Sequence, residues 1–151
     1  MLHTLHNLLS TFLIPGSIEL HPESALQLAT AVLLIEVMQA DAESATEQVT
    51  ILGILKKRFA LAEAEVKQLT ERGLRAAKST SDFEQFAEVI NRNLELPEKI
   101  RLVEYMWQVA YVDGKISTHE DHLIHKAAEL LHILPEDNIV AKTRARFPDL
   151  R

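Results

Sequence analysis

Cysteine is absent from this 151-residue chain. Its absence excludes disulfides, zinc–thiolate centres and thiol nucleophiles together, and suits a reducing compartment. Glycine is scarce, at four residues, and proline at five. Sandwiches and barrels need turn residues at short intervals, so the shortage points to helices. No apolar run approaches the ~20 residues of a membrane span. The longest, over 31–37, is interrupted by Glu36. The first residues lack the basic stretch and small-residue cleavage site of a secretory leader, so a cytoplasmic location is expected. There is no Gly-rich phosphate loop, no GxSxG elbow and no HExxH pair, and a non-enzymatic protein is expected.

Positive charge is in short supply too. The net charge of −6 argues against a large phosphate-binding surface and so against nucleic acid as a partner. Arg92, Lys99 and Arg101 are scattered, and Lys142, Arg144, Arg146 and Arg151 make only a modest basic tail.

What the chain has is apolar residues, 47% of the total, set at helical spacing. The length fits a single domain over 1–151, with an amphipathic N-terminal segment over 1–16 and a core over 22–146. Leu2, Leu5, Leu8, Leu9 and Phe12 form one stripe, which Pro15 and Gly16 end. Pro22 sits as a first-turn proline, opening a helix to about residue 41 that is apolar on nearly every side. Helices are expected next over 46–59, 63–77 and 81–94. Pro97 then opens a second helix, to 112, that is apolar nearly all round, and two more follow over 118–132 and 136–146. A helix apolar all round belongs at the centre of a bundle. The expected fold is all-α, a compact bundle of seven or eight helices. Trp107, inside the second such helix, reads as core. Glu36, inside the first, is the one carboxylate whose pKa burial could raise, but a place at the helix edge or a hydrogen bond is the expected reading.

A shift of 72 residues sets Val37 on Val109, Asp41 on Asp113 and Thr46 on Thr118. The pairs Ile51/Leu123, Leu52/Ile124, Phe59/Leu131 and Leu61/Ile133 follow in step. The shared register predicts two related helix–turn–helix hairpins whose central helices pack together. Three Ser-x-x-Glu stretches, from Ser44, Ser81 and Ser117, read as capping boxes, and Gly114 suits a left-handed helix end.

The stretch 102–116, centred on Trp107-Gln108-Val109-Ala110-Tyr111-Val112-Asp113-Gly114, resembles the tellurite-resistance TerB-like family, as do Glu120 and 128–132. The hairpin over 33–61 resembles that family's first half and 86–93 its linking segment, so the resemblance covers roughly 24–145. It implies an all-helical fold, a link to bacterial tellurite and stress responses, and acidic hairpin turns able to take a divalent cation such as calcium. Carried over by position, the metal candidates are Asp41 and Glu47 in the first turn and Asp113 and Glu120 in the second. The first turn departs from the family pattern. Ala42 stands where glycine is expected, and Asp and Glu are six residues apart there rather than seven.

Two further readings come from the residues themselves. His122, His125, Glu129 and His132 can share a helix face, which offers imidazole and carboxylate ligands for zinc or nickel in a metal-sequestering or metal-dependent role. The acidic surface and the amphipathic N-terminal stripe favour a scaffolding module that binds a protein partner.

Overall fold

The structure, a computed structural model, describes residues 22–40, 45–79 and 83–147. Among these residues are seven helices and no strand. They are α1 (Pro22–Gln39), α2 (Ala45–Phe59), α3 (Glu63–Ser79), α4 (Glu84–Asn93), α5 (Leu96–Tyr111), α6 (Thr118–Leu130) and α7 (Pro135–Arg146). The helix expected over 2–13 lies outside the described residues, as do Ser44, Ser81 and the first acidic turn.

α1 packs against α2, α3, α4, α5 and α6, which places it at the centre of the molecule. Every residue from Leu28 to Met38 is buried except Glu36, which is half-buried. α5 is the second central helix, in contact with α1, α2, α6 and α7. It buries Leu102, Val103, Met106, Trp107, Val109 and Ala110. Each large apolar side chain withdrawn from water contributes ~1.5–3 kcal/mol, so these two helices dominate the core.

The repeat runs further than a pair of hairpins. α3 begins at Glu63 and α7 at Pro135, 72 residues apart, and each packs on the first helix of its own half. The halves are therefore α1–α2–α3 and α5–α6–α7, with α4 linking them. In the third helices the buried residues Val66, Leu69 and Gly73 recur as Asn138, Ala141 and Ala145. The second helices even end alike. Ala60 (φ 53°) and His132 (φ 62°) are both left-handed. The following amides, of Leu61 and Ile133, donate back to Lys56 O at 3.1 Å and Ala128 O at 2.9 Å. This is the Schellman closure, twice.

One detail of the expected register is corrected. The 72-residue shift pairs Ile51 with Leu123 and Leu52 with Ile124, but the fully buried residues are Ile51 and Ile124. Glu47 and Glu120, likewise both buried, are also 73 apart. The second turn is one residue longer than the first, and the early part of α6 turns accordingly. The 72-residue register returns by the helix ends.

Candidate functional site

The second acidic turn is described in full. Tyr111 ends α5, and Gly114 adopts φ 89° while its amide donates to Tyr111 O at 2.8 Å. Ser117 then caps α6. Its Oγ accepts from Glu120 N at 3.1 Å, and Glu120 Oε1 accepts from Ser117 N at 2.9 Å. This reciprocal capping box buries Glu120 to 1% exposure. Asp113, by contrast, stands exposed at the turn. Glu47, in the first turn of α2, is also 1% exposed. Asp41 lies outside the described residues. Among those residues, no three His, Cys, Asp or Glu side chains are grouped to hold a metal ion. The structure thus buries Glu47 and Glu120 and leaves Asp113 in solvent, without gathering the three into one ligand set.

The histidine face is likewise not assembled as a ligand set. His125 Nδ1 lies 3.0 Å from Asn138 Nδ2, and its ring meets Trp107 edge-on with centroids 5.6 Å apart. His122 and Glu129 are exposed, and His132 is the left-handed helix end. What the face does build is a polar clasp over Trp107. The indole Nε1 donates to Asn138 Oδ1 at 2.9 Å. An indole N–H can only donate, so the Asn138 amide must turn its NH₂ to His125, whose Nδ1 is then the acceptor. Lys142 closes the clasp, donating to Asp121 Oδ1 at 2.9 Å with its ammonium 4.7 Å from the Trp107 ring centroid. Trp107 itself is fully buried, as the sequence implies.

The half-buried carboxyl of Glu36 has a pKa raised from 4.5 by loss of solvent. At the surface, Lys56 and Glu63 form an ion pair between α2 and α3 that lowers the Glu63 pKa.

Sequence reasoning passed over one surface. Leu134 (56% exposed), Ile139 (59%), Val140 (44%) and Phe147 (48%) all lie on α7 or at its flanks. Arg144 and Arg146 stand exposed beside them, and the Arg146 guanidinium is 5.2 Å from the Phe147 ring centroid. The available signal was an apolar pair, Ile139-Val140, in a helix whose buried positions are Asn138, Ala141 and Ala145. No helix of the described residues is long and apolar enough to cross a membrane.

Two three-helix halves, each with a central apolar helix and a shared C-terminal closure, define the class: an all-helical, internally repeated bundle. Residues 27–143 match the family model described as tellurite resistance protein TerB, and the chain belongs to that family. No curated protein and no solved structure matches it.

Proposed function

We propose that this TerB-family chain is a non-enzymatic, cytoplasmic binding module that recruits a protein partner through the outward face of α7. The observation that carries this is the exposure of four large apolar residues, Ile139 and Val140 on α7 and Leu134 and Phe147 at its two ends, with Arg144 and Arg146 exposed on the same helix. Large apolar side chains left in solvent beside cationic ones are a common chemistry of interaction surfaces. The cationic flank selects a partner segment that is apolar with acidic neighbours, because complementary charge sets register and on-rate. A role in the tellurite or stress responses of the family fits such a recruiter.

The test is capture by full-length wild-type protein compared with an Ile139→Asp/Phe147→Asp double variant. Both side chains are largely exposed, so the variant should keep its helical circular dichroism. The reading expects a partner held by the wild type, lost from the double variant and weakened by salt. An unchanged set of captured proteins, held equally well, would refute it.

A second reading takes the acidic turns as a divalent-cation site. It is supported by the burial of Glu47 and Glu120 at the first turns of the two repeat-related helices, since oxygen ligands shielded from water suit a hard cation. Asp41 and Asp113 would complete the set. Calcium titration followed by amide shifts tests it. The reading expects movement at Glu47, Asp113 and Glu120, and still amides at millimolar calcium would end it.

A further inference from the structure

α7 packs on α5 and α6, and the residues it buries are Asn138, Ala141 and Ala145. At about 100° per residue, these three mark the inward side of the helix. Glu136, Val140, Arg144 and the C-cap Phe147 recur at i, i+4, i+8 and i+11 on the opposite side, with Ile139 and Thr143 beside them. All six are exposed. The two ends of the helix differ in sign, with Glu136 and Asp137 in the first turn and Arg144 and Arg146 in the last. That order suits the dipole of the helix itself, but the dipole gives no reason for apolar side chains in water between the charges. A face acidic at one end, basic at the other and apolar between is complementary to its own reverse.

We propose that the occupant of this face is a second copy of the chain, α7 lying antiparallel on α7 across a two-fold axis. The inference rests on the reading of α7 as a recruiting surface and names the partner. That reading asks for an apolar segment with acidic neighbours, and Leu134-Pro135-Glu136-Asp137-Asn138-Ile139-Val140 is such a segment.

One register satisfies all of these residues. With Val140 on the axis, Glu136 of each copy meets Arg144 of the other, because the two lie equally far from Val140 along the helix. Phe147 then covers Leu134 of the second copy, and Ile139 lies close to the axis. Two-fold symmetry forms each contact twice. A parallel pair would set Glu136 on Glu136 and Arg144 on Arg144, so charge selects the antiparallel sense. Arg146 stays over the Tyr111 ring of its own copy, 6.0 Å from the centroid, which leaves Arg144 as the cation for the partner. A single pair of short helices buries less area than a standard interface, so the pairing is weak and reversible.

Sedimentation equilibrium of the full chain, from micromolar to millimolar concentration, tests this. The wild-type mass should rise with concentration from one chain towards two, while Ile139→Asp/Phe147→Asp stays at one. Glu136→Arg and Arg144→Glu each set like charges together at both ends of the contact, and each should weaken self-association about tenfold. Mixing these two variants in equal amounts brings unlike charges together again and should restore association to near the wild-type level. Restoration on mixing is a readout that misfolding of either variant could not produce. A dimer that survives Ile139→Asp/Phe147→Asp, or a mixture that associates no better than its components, would overturn the pairing. A monomeric wild type that still captures another protein through Ile139 and Phe147 overturns self-pairing and leaves the recruiting reading intact. A monomer that captures nothing overturns both.

Discussion

Trp107 is the one tryptophan in the chain, and its single donor sets the direction of the polar clasp above it. Replacing Asn138 by leucine leaves the buried indole N–H without its acceptor. We expect a loss of about 1–3 kcal/mol, read by urea unfolding followed through Trp107 fluorescence. Glu36 carries a pH signature. Its folded pKa lies above 4.5, so the folded state holds the proton more tightly than the unfolded chain. Wild-type stability therefore rises as pH falls through the folded value, and this contribution is complete below 4.5. Glu36→Gln should be the more stable protein at pH 7, with the advantage gone below pH 4.5, as parallel thermal melts at the two pH values would show. The burial of Trp107 was legible because it sits inside a run of apolar neighbours, whereas Glu36, expected at a helix edge or in a hydrogen bond, is instead half-buried with its pKa raised by desolvation. The clasp was not. His125 and Asn138 lie 13 residues apart and Trp107 and Asn138 31 apart, and only the packing of α5, α6 and α7 brings them together.

Among the elements, the capped start of α6 and the left-handed Gly114 after α5 could be read, whereas α4, expected over 81–94, begins at Glu84 with Phe83 as its N-cap. The Ser117–Glu120 box stands as its residue pattern implies, and Ser117→Ala should cost ~1 kcal/mol in chemical denaturation. Pro22 opens its helix in the first turn as expected, and the last helix, expected from 136, also opens on a proline, Pro135. The shared closures of α2 and α6 fall on Ala60 and His132, not on the glycine that normally signals such a turn. A left-handed position strains any side chain with a Cβ, so Ala60→Gly and His132→Gly should each raise the melting temperature. The two helical glycines separate in sign. Gly53→Ala has open space and should stabilise by about 1 kcal/mol. At Gly73 an added Cβ would lie 2.7 Å from Ile35 Cδ1 and 3.2 Å from Ala31 Cβ, so Gly73→Leu should destabilise by about 1–3 kcal/mol or more. Equal effects from Gly53→Ala and Gly73→Leu would contradict the packing of α3 on α1.

On the scale of the whole molecule, the chain folds one three-helix pattern twice and joins the copies through α4. Asn91 in that linker donates to Leu130 O at 3.0 Å and accepts from Lys99 Nζ at 3.1 Å, tying α4 to both α6 and α5. The bundle and its two central helices were legible because 22–41 and 97–112 are apolar on all sides, a pattern with no stable place except the middle. The third helix of each half was read as a separate element, since α3 and α7 share buried positions but few residue types. The exposed apolar residues of α7 were missed because Ile139 and Val140 sit in a helix whose buried positions are small or polar, Asn138, Ala141 and Ala145, so which side faces out depends on packing against α5. All of this depends on α1 and α5 lying innermost. Native-state amide hydrogen exchange tests that placement most directly. The account predicts that the slowest amides fall within 28–38 and 102–110, opening only with global unfolding, while α7 exchanges faster. Exchange in those two stretches as fast as in 136–146 would contradict it.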